Sequence, residues 1–131
     1  MLVWLDDLRL NAELTGPTDA PPVVLIQGLG LDLSLWDAVL SRLRTRILRL
    51  DLRGQGASDT PPAPYAMGAL IRDVERLVDH FALKDAVVLG AGEGGLIAQG
   101  LAVKRLDQVR AMVLTGSATR FGNPDLWASR I

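Results

Sequence analysis

The chain opens with apolar and polar positions in alternation. Residues 2–5, and then Leu8, Leu10, Ala12 and Leu14, are apolar around the pair Asp6-Asp7. A period of two with one wet face predicts an antiparallel hairpin. The pattern changes at residues 22–26, a continuous apolar run of the kind found in strands buried on both faces. Leu35, Trp36, Val39, Leu40 and Leu43 then recur at helical spacing, with Asp32 or Ser34 placed to cap the helix. Residues 47–52 predict another strand. Residues 67–81 predict the longest helix, with Leu70, Ile71, Val74, Leu77, Val78 and Phe81 on one face and Arg72, Asp73, Glu75, Arg76 and Asp79 on its polar side. A strand at 86–89, a helix at 96–105 and a last buried strand at 109–114 follow. Asn123 and Pro124 then open a further helix. Strands alternating with helices predict an α/β fold: an N-terminal hairpin, then a mostly parallel sheet with flanking helices, in one domain over residues 1–131.

Composition narrows the chemistry. Fourteen basic residues against fifteen acidic leave a net charge of −1, with no cluster of either sign. That offers no electrostatic footprint for nucleic acid or an anionic membrane. There is no cysteine and only one histidine, His80, so no metal site is expected. The N-terminus carries acids by position 6 and lacks a basic n-region, and no apolar stretch approaches a bilayer span. The expectation is a soluble, cytoplasmic protein.

The densest signal is the glycine run after the strand at 86–89. Gly90, Gly92 and Gly95 fit the dinucleotide fingerprint G-x-G-x-x-G, which wants an acid about twenty residues further on to hold the ribose. Twenty positions past Gly95 stands Thr115, with no carboxylate. The fingerprint also belongs in the first βα turn, whereas earlier strands precede this one. A bare tight turn accounts for one glycine, but not for four in six residues. Gly90-Ala91-Gly92-Glu93-Gly94 fits better as the G-x-S-x-G nucleophile elbow, a strained strand-to-helix turn whose flanking glycines leave room for close packing. Its apex is Gly92 in place of serine.

Other stretches agree with the elbow. Residues 24–30, V-L-I-Q-G-L-G, stand where the α/β-hydrolase fold family carries its oxyanion loop. Residues 51–58, D-L-R-G-Q-G-A-S, resemble that family's D-x-R-G-H-G-x-S turn. Residues 30–36, 62–65, 94–99 and 118–127 are similar, more narrowly, to the 3-oxoadipate enol-lactonases. The resemblance implies lactone or ester hydrolysis by a Ser-His-acid triad, without metal or organic cofactor. By motif position the oxyanion donors are the backbone N–H groups of Leu29, beside Gly28, and of Glu93. The Glu93 side chain is expected to point away from the pocket.

The departures from the family bear on activity. Gly92 offers no nucleophile. The family order is nucleophile, acid, histidine, yet no histidine follows His80, which falls at a helix end upstream of the elbow. Gln27, Gln55 and Ala91 stand where relatives often carry histidine. Ser34, Ser58 and Ser117 have no histidine to activate them, and Asp32 and Asp51 read as a cap and a turn residue. The resemblance further implies a partial core, about six of the family's eight strands, that stops where a cap domain would begin. The strand at 109–114 then becomes an edge open to pairing with another copy or a complementing chain. Three function classes stay open: a catalytically silent hydrolase relative, a binding or interaction module for a small lactone or carboxylate, and one piece of a split hydrolase.

Overall fold

The computed structural model describes residues 1–120 and 122–129. Phe121, within the 118–127 stretch quoted above, lies outside the described residues, as does the side chain of Trp127. The elements run β1 (Leu2–Leu5), β2 (Leu8–Thr15), β3 (Pro22–Ile26), a 3-10 turn (Leu33–Trp36) continued by α1 (Asp37–Leu40), β4 (Arg46–Leu50), α2 (Met67–His80), β5 (Ala86–Ala91), α3 (Glu93–Lys104), β6 (Val109–Thr115) and α4 (Pro124–Ala128). The strands form one six-stranded sheet in the order β1-β2-β4-β3-β5-β6. The hairpin pairs antiparallel with itself and with β4, while β3–β4, β3–β5 and β5–β6 are parallel. The α/β class with an N-terminal hairpin is therefore the observed architecture.

The sheet separates two cores, and the strand period explains which residue enters which. Val24 and Ile26 of β3, Leu48 and Leu50 of β4, and Ala86 and Val88 of β5 face the main core, with Leu70, Val74, Leu77 and Val78 of α2 and Ile97, Ala98 and Leu101 of α3. Their sequence neighbours Leu25 and Ile47 face the opposite side, under Trp36 with Val39 and Leu40. Each fully buried aliphatic side chain contributes roughly 1.5–3 kcal/mol by leaving water.

Three expectations need correction. The helix predicted through Leu43 is only the 3-10 turn plus one α-turn. Asp32 does cap it, its carboxylate accepting from the Ser34 N–H at 2.9 Å. The turn's entry is pinned from elsewhere, because the Leu33 N–H donates to the Asp51 carboxylate at 2.8 Å. Asp73, placed on the polar side of α2, is buried with 1 % exposure. Its carboxylate receives the Arg53 guanidinium at 2.6 and 2.7 Å, so the charge is satisfied inside the protein. The strand at 109–114 is not buried. Only its first residue is half-buried, and Arg110 to Thr115 are exposed along the sheet edge. Among the described residues no helix is long and apolar enough to cross a membrane.

Candidate functional site

The site is built where β5 turns into α3. Gly92 stands between them at φ 56°, ψ −125°, a conformation unfavourable to residues with a side chain. The turn is held by the Gly92 N–H donating to the Thr115 carbonyl at 2.9 Å and by the Gly95 N–H donating back to the Gly92 carbonyl at 3.0 Å. Its glycines differ in what surrounds them. A Cβ on Gly90 would lie 2.5 Å from the Gly95 Cα, and one on Gly94 would lie 2.7 Å from the Gln27 carbonyl oxygen. Both would collide with backbone. A Cβ on Gly92 would meet nothing nearer than the Gly28 Cα at 3.8 Å. The elbow is packed shut at its shoulders and open at its apex.

The loop after β3 faces that apex. The Leu29 N–H donates to Glu93 Oε2 at 3.3 Å, and a Cβ on Gly28 would lie 2.9 Å from the same oxygen and 3.8 Å from the Glu93 nitrogen. Gly28, Leu29, Glu93 and Gly92 thus converge on one small volume. The orientation of Glu93 differs from expectation. Its carboxylate turns toward the loop and sits on the Leu29 N–H instead of pointing away.

The turn after β4 frames the other side. The Asp51 carboxylate accepts from the Ala57 N–H at 2.9 Å and from Asn11 Nδ2 at 2.9 Å, besides the Leu33 N–H. Ser58 donates to the Asp51 carbonyl at 2.6 Å and accepts from the Asn11 N–H at 2.9 Å. These side chains are committed to holding the turn. Gln55 accepts from the Gly30 N–H, tying the two loops together. Gln27 is fully buried, donating to the Leu50 carbonyl at 2.7 Å and accepting from Trp36 Nε1 at 3.2 Å.

A pocket of about 370 Å³ opens between these loops and α2, lined by Leu29, Arg53, Gly54, Gln55, Tyr65, Met67, Leu70, Glu93 and Ile97. Several of these carried no assigned role in the sequence. Arg53 lies over the Tyr65 ring, 5.6 Å from its centroid, and its ion pair with Asp73 raises its pKa further. A basic residue inside the D-L-R-G turn and a lone tyrosine in the Pro-rich stretch were the available signals.

His80 does not reach this site. It is exposed at the last turn of α2, edge-on to Phe81 with ring centroids 4.9 Å apart. Residues 81–85 carry the chain from there to the start of β5, whereas the elbow lies at that strand's far end. Six residues of strand at about 3.3 Å each put the two ends roughly 16–20 Å apart. Ser34 is exposed and bonded to Asp32. The Ser117 hydroxyl packs against Gly95 without a hydrogen-bond partner and has no imidazole beside it.

This arrangement has relatives. Residues 21–130 match the alpha/beta hydrolase fold family. The chain is 31 % identical over 126 residues to 3-oxoadipate enol-lactonase 2 of Acinetobacter baylyi, a match covering 95 % of this chain and 47 % of that protein. A hydrolase from Pseudomonas aeruginosa superposes with a TM-score of 0.94 at 33 % identity, over 99 % of this chain and 50 % of that one. The enol-lactonase of Burkholderia xenovorans superposes with a TM-score of 0.91 at 34 % identity, over 99 % of this chain and 52 % of that one. The chain spans about half the length of these relatives. With residues 21–130 matched to the family and nearly the whole chain superposing on these hydrolases, it belongs to the α/β hydrolase fold family.

Proposed function

We propose that the chain is an enol-lactonase-like hydrolase relative that no longer performs serine hydrolysis, and whose elbow pocket is left as a binding site for a small molecule. The observation that carries this reading is Gly92 itself. It holds the strained backbone of an elbow but offers no atom to attack a carbonyl. The single histidine of these 131 residues sits at the other end of β5, so this segment itself brings no imidazole to a neighbouring serine. Loss of a whole triad costs on the order of a million-fold in kcat. Oxyanion stabilisation does not offset that loss, because the Leu29 N–H already serves the Glu93 carboxylate.

The test is hydrolysis of p-nitrophenyl acetate and of a five-membered enol-lactone by the purified chain. The expected rate equals that of buffer, and Gly92→Ser leaves it there because a serine without histidine is not activated. Turnover well above buffer that tracks the protein through purification would overturn the reading.

The exposed edge favours a second reading, in which another copy or a complementing chain covers β6. Met112, Val113 and Leu114 are 42 %, 47 % and 43 % exposed in consecutive positions, so both faces of the strand are bare. Unpaired apolar edges invite strand addition. Sedimentation showing a dimer or larger that is dissociated by Val113→Lys supports this reading, and a monomer at all concentrations removes it.

A further inference from the structure

The pocket beside the elbow carries a fixed charge that its motif does not call for. Five charged or polar side chains bear on its ligand preference: Arg53, Asp73, Gln55, Tyr65 and Glu93. The charge of Arg53 is balanced by Asp73, whose almost wholly buried carboxylate takes its Nε and Nη2, leaving Glu93 as the pocket's unbalanced charge. The Tyr65 hydroxyl donates to the Pro61 carbonyl at 2.5 Å, and Gln55 is bonded to Gly30. Glu93 is different. Oε2 rests on the Leu29 N–H at 3.3 Å, and among the described residues Oε1 has no hydrogen-bond partner. The half-buried carboxylate faces a cavity whose apolar walls are Leu29, Met67, Leu70 and Ile97, and whose remaining lining is Gly54 with the side chains of Arg53, Gln55 and Tyr65. It stands on the loop N–H where an anionic ligand oxygen would be held.

We infer that Glu93 is a built-in anion that turns the elbow pocket into a site for a small apolar ligand with a cationic head, a primary alkylammonium, and excludes the corresponding carboxylate. An ammonium donates three hydrogens, and Oε1 is free to accept one. The alkyl tail takes the aliphatic walls, and like charge against Glu93 sets a carboxylate at a disadvantage in a partly desolvated site. This ligand class presupposes that the elbow pocket is the binding site, as proposed above. It is independent of whether any ester is turned over, so a chain that hydrolyses esters yet prefers the ammonium refutes only the earlier reading.

Calorimetric titration of the chain with n-butylammonium chloride and with sodium butyrate, at matched ionic strength, decides it. The ammonium is expected to bind at least about tenfold more tightly than the carboxylate. Glu93→Gln keeps an acceptor for the Leu29 N–H but removes the charge, and should bring the two ligands within about twofold of each other. Glu93→Ala vacates the N–H and should make butyrate the tighter ligand. Thermal melts confirm that both variants are folded, as a half-exposed first-turn residue allows. Equal or tighter butyrate binding by the native chain, no detectable binding of either ligand, or an unchanged preference in Glu93→Gln would each overturn the inference.

Discussion

The loops after β4 and β5 belong to the same end of the sheet, yet they are held by opposite means. The 51–59 turn is a network of side chains: Asp51 gathers three donors, Ser58 bridges two backbones, Asp59 pairs with Arg9, and Arg53 reaches down to Asp73. The elbow at 90–95 has almost no side chains and is held by backbone contact, where Gly90 and Gly94 press against neighbouring chain. The first loop would lose its shape with a changed side chain. The second keeps its shape with any side chain absent, including the one that would do chemistry. That difference explains how an elbow can survive structurally once its apex residue is glycine. Position 92 holds the turn through its backbone hydrogen bonds and contributes no side-chain packing.

The largest effect should come from filling the shoulder while sparing the apex. Gly94→Ala puts a methyl carbon against the carbonyl oxygens of Ile26 and Gln27. The backbone cannot yield there without opening the β3–β5 pairing. The expected cost exceeds the ~3 kcal/mol of ordinary overpacking, a large share of a stability of about 5–15 kcal/mol. Gly92→Ala meets open space and should cost only about 1–2 kcal/mol for its left-handed backbone. Urea melts of the two variants measure the contrast. Equal destabilisation would mean that the apex is packed after all.

Next in size is the 51–59 network itself. Arg53→Ala leaves Asp73, at 1 % exposure, as a buried carboxylate without its partner. Removing one partner of a buried pair typically costs about 3–5 kcal/mol. Arg53→Ala with Asp73→Leu removes both charges and should recover much of that loss. A double-mutant cycle reads the coupling, and additive effects would show that the pair is not what holds the loop to α2.

How much of this was legible depended on whether a feature is local. The hairpin, the parallel strands and α2 follow from period alone, and the elbow follows from glycine spacing, because each is dictated by residues close in sequence. The spacing of Leu35, Trp36, Val39, Leu40 and Leu43 predicts a full helix because those residues share a face. The segment is a 3-10 turn and one α-turn, and its entry is pinned by the hydrogen bond from Leu33 to Asp51, eighteen residues away. Asp73 looked like a solvated helix residue for the same reason, its partner being twenty positions upstream. The bareness of β6 was legible only through motif position, because its apolar composition reads as burial. The turn of the Glu93 carboxylate onto Leu29 joins groups 64 residues apart and left no trace in either local pattern.

The smallest expected effect separates the two loops by acid. The Arg9 guanidinium and N–H hold the Asp59 carboxylate below its usual value of 3.8. A carboxylate with a depressed folded pKa adds stability that is fully present above the unfolded value, near 4, and is lost as pH falls through the lower folded value. The pair is solvent-exposed, so its contribution is small and should shrink further in salt. Glu75, Asp79 and Asp107 around Arg105 are depressed as well and give an acid slope of the same sign. The informative quantity is therefore the difference between the native chain and Asp59→Asn. Below about pH 4 the two stability curves should converge, because the native chain alone still has this contribution to lose. An NMR titration should show the Asp59 carboxyl carbon moving at a pH below 3.8 together with the Arg9 Nε–H. The Gly92 and Gly95 amides are bonded only to backbone carbonyls and should hold their shifts through the Asp59 step. Asp59 titrating at its ordinary value, or the elbow amides moving with it, would mean that the two loops share one set of supports.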